Sequence, residues 1–419
     1  RAKIHVRARE GDVALLLGDP STGEQVATVP KGKAWTVGIA NQHYRIVDGA
    51  GRQVGGDVGG PSQNLYAVYA DAGSIVGIPE AGHRYSRGLI EFNLYNCTSS
   101  CALRLILTID PEQYLYGLGE VPSEWPKAAL QAQAIAARSY AFAKAALGQN
   151  RPGCNCALYA TSLDQVYAGY DKEAGPDGNR WVAAVNATKN RVVKYKGKVI
   201  TAYYFSSSGG HTENNENVWG GSPIPYLRGV CDPGDFTQAN PNAVWQVTLT
   251  GEQVTNKLHL GIGPIIRFRN AARGVSGRII TIVAQGESGT ATISGGTLRS
   301  LLGLRDDRVW INVNRQVVGP IREKYDAIEC QPGLPTSRQV KVGGGERQFF
   351  QRGAIFFKGG PGAHELSGAL LDFYLEQGGP AGPLGFPTSD VTEQDDGTTS
   401  ASFEQGTITC SASGSCEAS

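Results

Sequence analysis

The residues with most chemical content lie in YLYGLGEVPSEWP, residues 114–126, where Glu120 stands between Gly119 and the pair Val121-Pro122. Proline biases the residue before it away from helical backbone, so Glu120 is expected on a fixed turn ahead of a helix. A carboxylate so held can serve as a general acid or base. Apolar neighbours would favour its protonated form, and the positive end of the following helix its charged form. A helix-capping glutamate is the competing reading from position alone. Gly119 is expected to let a bulky ligand approach the backbone. Further on, Lys127, Gln131 and Arg138 are spaced by four and seven, which puts them on one helical face. Amid alanines, that stripe is either a solvated face or the lining of a sugar cleft.

A second array follows in YYFSSSGGHTENNENVWGGSPIPYL, residues 203–227. Tyr204, Ser206, Ser207, Ser208, Gly209, Gly210, His211 and Thr212 crowd short hydrogen-bonding groups beside aromatic rings, as carbohydrate sites do. The alternative is a glycine-rich structural turn. Ser208 and His211 are neighbours in that turn and lack a G-x-S-x-G context, which argues against a serine hydrolase. The chain holds no phosphate-cradling GxxxxGK[ST], no HExxH and no dinucleotide fingerprint after a strand. No cofactor is expected.

The elements that must position these groups are legible in outline. Residues 124–147 read as a long helix running into Gly148, and half of the residues from Ala128 to Leu147 are alanine. Small side chains let neighbouring backbones approach, so this helix is expected in the middle of its domain. Residues 1–85 alternate apolar and polar side chains between turns, the signature of short strands. Strands are expected again at 88–96 and 102–110, in RVVKYKGKVI and in TAYYFSSS, with a helical stretch at 181–190 between. Residues 244–258 read as a strand into a helix, and 276–304 as two strands into a helix. Near 315–335 the period is lost and a linker is expected. The expected fold class is mixed α+β, divided into a β-rich region (1–85), a catalytic core (86–315), a linker (316–340) and a small module (341–419).

Composition excludes several classes. Across 419 residues the net charge is +1, which removes the electrostatic basis for nucleic-acid binding. No apolar run approaches the ~20 residues of a membrane span. The 56 glycines fall in no G-x-y repeat, so collagen is out, and methionine is absent altogether. The eight cysteines suggest disulfides of an exported protein, with Cys97–Cys101 and Cys410–Cys416 as expected local pairs. A metal site on Cys154, Cys156 and His211 is the minor reading, because no C-x-x-C pair occurs and none is therefore predicted. The start at Arg1, with no signal segment before it, is read as a processed exported chain.

Four blocks together resemble the SpoIID/LytB family, named for stage II sporulation protein D and the amidase enhancer. They are YLYGLGEVPSEWPKAALQAQAIAARSYAF, TSLDQVYAGY (161–170), YYFSSSGGHTENNENVWGGSPIPYLRGV and VSGRIITIVAQGESGTATISGGTLRSLLGL, within about residues 86–312. The tail resembles LGFP repeats of cell-wall proteins, with PLGFP through FEQGTI as one repeat and FQRGAIFF through FYLEQGGPAG as the end of another. The resemblance implies a lytic transglycosylase that cleaves peptidoglycan glycan between N-acetylmuramic acid and N-acetylglucosamine, leaving a 1,6-anhydro end. On it Glu120 falls on the catalytic glutamate, Arg138 on a site arginine, and Tyr204, Ser206, Ser208 and Thr212 on the glycan cleft. A single carboxylate suits this reaction, since the sugar's own 6-hydroxyl replaces water. Val121 stands where the family commonly has methionine, and Gln131 where it often has lysine. Another polysaccharide is therefore one alternative substrate, and a non-catalytic binder that stimulates a cell-wall amidase is an alternative function.

Overall fold

The computed structural model describes residues 1–419 except 70, 72, 99, 149–150, 152 and 238–239. The chain divides into two compact units, Arg1–Tyr204 and Phe205–Ser419. The fold class is mixed α+β.

The first unit opens with ten antiparallel strands: β1 (Lys3–Glu10), β2 (Val13–Leu17), β3 (Glu24–Val29), β4 (Ala34–Ala40), β5 (His43–Val47), β6 (Leu65–Tyr69), β7 (Ile75–Ile78), β8 (His83–Tyr85), β9 (Leu89–Tyr95) and β10 (Ala102–Thr108). They form two five-stranded sheets in the orders β5-β4-β1-β7-β8 and β10-β9-β6-β2-β3. Alternation does what it should: Ile4, Val6 and Ala8 of β1 are buried, as are Val13, Leu15 and Leu17 of β2. The inward residues of both sheets merge with Leu115, Leu118, Leu130, Ala134, Ala137, Trp181 and Val185 into one apolar cluster. The division expected at residue 85/86 is corrected by that pairing. Leu65 lies opposite Phe92 and Ala67 opposite Ile90, so β9 extends a sheet begun before the boundary.

The helices of this unit are α1 (Pro111–Tyr116), α2 (Lys127–Ala145), α3 (Tyr170–Ala174) and α4 (Gly178–Ala187). Asp110 starts α1 by accepting from the Glu112 and Gln113 N–H groups, with Pro111 in the first turn. The long α2 is the alanine helix, and it packs against α1 and α4. Trp181 of α4, fully buried, donates its indole N–H to Leu115 O at 2.9 Å. The strands expected in RVVKYKGKVI reduce to a hairpin of two-residue strands, β11 (Lys194–Tyr195) and β12 (Lys198–Val199), and residues 201–208 form no strand.

The second unit holds α5 (Asn215–Trp219), α6 (Gly251–Leu258), a three-stranded meander of β13 (Ile265–Arg273), β14 (Ile279–Gly286) and β15 (Gly289–Ser294), then α7 (Gly295–Leu302). Residues 244–249 are not a strand; β13 takes the place beside β14. The expected linker is also corrected, because it contains α8 (Gly319–Ala327). Ile321 and Tyr325 of α8 are buried with Cys330, Phe350 and Ile355. Two four-stranded sheets complete the chain, β16 (Val340–Val342), β17 (Gly345–Phe349), β18 (Gly353–Lys358) and β19 (Gly362–Ser367), then, after α9 (Gly368–Glu376), β20 (Thr392–Glu393), β21 (Thr399–Phe403), β22 (Gly406–Cys410) and β23 (Cys416–Ala418). They repeat one device: GLPTS at 333–337 and GFPTS at 385–389 each place a proline in a bridge, Pro335 to Phe350 and Pro387 to Phe403.

All eight cysteines are in disulfides: Cys97–Cys101, Cys154–Cys156, Cys231–Cys330 and Cys410–Cys416. Both expected pairs form. Bridging Cys154 to Cys156 removes the thiolates that a Cys/His metal site would need. Among the described residues no helix is long and apolar enough to cross a membrane.

Candidate active site

The backbone of Gly117–Glu120 runs antiparallel to Val166–Ala168. Gly119 N–H donates to Val166 O at 2.9 Å, and Ala168 N–H to Gly117 O at 2.7 Å. Glycine is needed at 117, where a Cβ would come within 2.6 Å of the Tyr167 ring. Gly119 does not open the backbone to a ligand as expected; a Cβ there would face Ala168 at 3.3 Å. This ladder places half-buried Glu120 on a bend before α2, not in it. The Lys172 ammonium donates to Val121 O and holds the bend from the other side. Burial lowers the pKa of Lys172, with Glu124 acting against it.

The two oxygens of Glu120 differ. Oε1 accepts from Val166 N–H at 2.7 Å and from the Tyr204 hydroxyl at 3.3 Å. Among the described residues nothing donates to Oε2. Behind Tyr204 stands a directed chain: Tyr114 OH donates to Gln165 Oε1 at 3.1 Å, and Gln165 Nε2 donates to Tyr204 OH at 2.8 Å and to Ala137 O at 3.2 Å. Gln165 is fully buried with these bonds made. Burial pushes both phenols up, and Glu120's charge pushes the same way, so Tyr204 and Tyr114 remain donors. Asp164 completes the surroundings, accepting from Arg151, from Tyr140 OH at 2.8 Å and from Tyr159 N–H at 2.9 Å, with its side chain 1% exposed.

Arg138 is not where a residue touching substrate would be. Its side chain is 0% exposed, and Nε and Nη2 form a fork onto Glu112 at 2.8 and 2.9 Å. The remaining N–H groups reach Val185 O and Arg191 O, both at 3.2 Å. A guanidinium so enclosed ties α1 and α4 to α2. The expected stripe therefore divides, with Lys127 exposed, Gln131 half-buried and Arg138 inside. None of the three hydrogen-bonds to Glu120.

Tyr204 is the last residue of the first unit, and Ser206–Thr212 belong to the second. There most of the array is occupied by its own turn. Ser207 OH donates to Asp235 Oδ2 at 2.8 Å, Ser208 OH to Asp232 Oδ2 at 2.7 Å, and Gly209 N–H to Asp235 Oδ2 at 2.7 Å. Ser208 and Gly210 are buried. His211 keeps Nδ1 on Thr212 O at 2.7 Å, and burial lowers its pKa. Thr212 exchanges hydrogen bonds with Val230. Ser206 is exposed, and among the described residues nothing hydrogen-bonds to its hydroxyl.

Residues 100–195 match the SpoIID family model, described as Stage II sporulation protein. That segment of the chain is similar to a SpoIID domain. Glu120, Arg138 and Gln165 lie inside the SpoIID match, and Tyr204 and Ser206–Thr212 beyond it. Residues 333–382 match the LGFP repeat, covering the first GLPTS segment and stopping before PLGFP. Over 138 residues the chain is 38% identical to the amidase enhancer of Bacillus subtilis (strain 168), covering 33% of this chain and 17% of that protein. Stage II sporulation protein D of Bacillus amyloliquefaciens is 32% identical over 205 residues, 46% of this chain and 58% of that one. Its counterpart in Bacillus subtilis (strain 168) is 29% identical over 208 residues, 46% and 57% respectively. The chain thus spans well under two thirds of the length of these SpoIID relatives.

Residues 165–168 carry most of what sequence reasoning assigned no role: Gln165 and the Val166 N–H. Their block, TSLDQVYAGY, is recognisable, but the 46-residue separation of Val166 from Glu120 hides the contact.

Proposed function

We propose that this chain is an extracellular cell-wall enzyme that cleaves peptidoglycan glycan as a lytic transglycosylase, with Glu120 as its acid and base. The observation that carries the reading is the division of labour on that carboxylate, Oε1 held by Val166 and Tyr204 and Oε2 without a donor among the described residues. Protonated Oε2 gives its proton to the glycosidic oxygen as the bond to C1 of the muramyl sugar breaks. The 6-hydroxyl of the same sugar then attacks C1, and Glu120 takes the hydroxyl proton back. Intramolecular attack avoids the entropic cost of fixing a water. A hydrolytic route would want a second carboxylate about 5–9.5 Å away. Asp164, the other acid acting on Tyr114, is closed off by Arg151, Tyr140 and the Tyr159 N–H.

In this reading Tyr204 steadies Oε1, and exposed Lys127 and half-buried Gln131 are the polar groups of the first unit offered to glycan. Arg138 positions α1 and α4 without meeting the sugar. The LGFP segment retains the protein on the wall, and four disulfides suit an oxidising exterior.

The name of the amidase enhancer of Bacillus subtilis favours a second reading, a binder that assists an amidase without cutting glycan. Glu120→Gln separates the two. With purified wall, the wild type should release fragments lighter by one water than hydrolytic products, and the variant none. Equal release by the variant would remove the enzymatic reading. Products carrying the extra water would remove the lytic route.

A further inference from the structure

Among the buried side-chain atoms without a hydrogen-bond partner, three come from one neighbourhood of the second unit: Arg308 Nε, Arg322 Nη2 and Asp326 Oδ1. Arg308 is the extreme case. Its guanidinium makes no hydrogen bond or ion pair among the described residues, although Nε is closed to solvent. The nearby acids are already committed. Asp306 pairs with Arg278 at 3.1 Å and accepts the Arg308 backbone N–H, while Asp307 lies 3.6 Å from Arg278. Burial first, then the charges of Arg278 and Arg322, pull Arg308 down to about 10, against Tyr325 and Asp306.

Arg322 is half-used. Its Nε binds Asp326 Oδ2 at 2.7 Å and its plane lies 3.3 Å from the Phe236 ring centroid, which leaves Nη2 unpaired. Both guanidiniums border the same two glycines. A Cβ at Gly209 would stand 3.2 Å from Arg308 Nη1, and one at Gly210 would stand 3.1 Å from Arg322 Nη2. Two like charges with free donors therefore flank one short stretch of backbone. Arg308 as a residue is partly exposed, so part of its side chain meets water although Nε does not. Buried charges are ordinarily paired, and a guanidinium with its fork unfilled is the donor set that carboxylate and phosphate groups fit.

We propose that Arg308 and Arg322 form an oxyanion-binding site beside Gly209-Gly210, filled by the carboxylate or phosphate of a ligand; that the ligand is a sugar rests on the function proposed above. The site does not depend on Glu120 and binds its ligand whether or not glycan is cut. A carboxylate on the sugar and a phosphate on a sugar polymer share the required chemistry.

The test is an NMR titration of the full chain with N-acetylmuramic acid, N-acetylglucosamine and inorganic phosphate. The first two differ only by the lactyl ether and its carboxylate, and neither has a bond for Glu120 to cleave. N-acetylmuramic acid is expected to bind at least about tenfold more tightly than N-acetylglucosamine, a preference that Arg308→Gln abolishes. Tighter binding of phosphate, equally lost in Arg308→Gln, identifies a phosphate-bearing ligand as the source. Arg308→Met should melt no lower than wild type in the absence of anions, because the buried charge it removes has no hydrogen bond or ion pair among the described residues and only a distant ring contact with Trp310. Should either variant fail to fold, Arg322→Gln provides the same binding comparison. Absence of any anion preference, or a preference untouched by both arginine substitutions, overturns the proposal.

Discussion

Replacing Arg138 tests whether the arginine inside the SpoIID segment positions the fold or meets the substrate. Arg138→Ala leaves Glu112 facing an emptied interior, since both its oxygens accept from that guanidinium. Removing one member of a buried pair costs about 3–5 kcal/mol, because the other charge is stranded. For a unit of this size each kcal/mol moves the midpoint by about 2–4 °C. The loss should therefore be about 6–20 °C, read by calorimetry of the full chain, with activity falling as the protein melts. The decisive variant is Arg138→Met with Glu112→Leu, which replaces the pair by apolar groups. Such exchanges are often neutral or stabilising, so the melting point should recover, and glycan release with it. Recovered stability with release still absent would place Arg138 in the chemistry and refute a purely positioning role. An unchanged melting point in Arg138→Ala would refute the energetic argument itself.

Under the proposed function, Tyr204→Phe removes one of the two donors to Glu120 Oε1, a hydrogen bond worth about 1.5–3 kcal/mol when the carboxylate is ionised, so kcat for glycan release should fall about ten- to a hundredfold with the melting point little changed. Asp307 is held up at about 6 by burial first and then by Asp306, against an ordinary 3.8; a raised carboxyl binds its proton more tightly in the folded state, so the second unit should lose stability as pH rises from about 4 to about 6. Asp307→Asn should raise the melting point at pH 7, with the gain gone below about pH 4 in a pH series of thermal melts. Truncation after residue 340 should not free an intact core, because it uncovers Ile321 and Tyr325 where they pack on Phe350 and Ile355; soluble yield should drop, and a cut before residue 319 should do less harm by removing α8 as well.

Local patterns were readable where a residue's role depends on its near neighbours. β1 to β5 follow from alternation, α2 from its alanines, and the elbow at Glu120 from Pro122 and the glycines around it. Two disulfides across short separations were equally plain. What escaped detection depends on distant partners. Alternation says that β9 is a strand but not that Phe92 lies opposite Leu65, so a boundary read from pattern alone cuts through a sheet. Arg138 looked like a site residue because helical spacing groups it with Lys127 and Gln131, while only the fold brings Glu112 to its fork. The serine array looked like ligand groups because Asp232 and Asp235, which engage Ser207 and Ser208, come some 25 residues later. α8 lacked a clear period because only Ile321 and Tyr325 of its nine residues face inward.

The sheet that runs through residue 85/86 also bears on how the protein can be dissected. A recombinant fragment trimmed to residues 100–195 would keep the Val166 N–H that holds Glu120 but lose Tyr204, and β10 would lose β9 while the helices would lose the strand residues they share a core with. The smallest piece fit for crystallisation or for transplanting onto another scaffold is the whole of Arg1–Tyr204, and its leading strands are a foundation rather than an accessory.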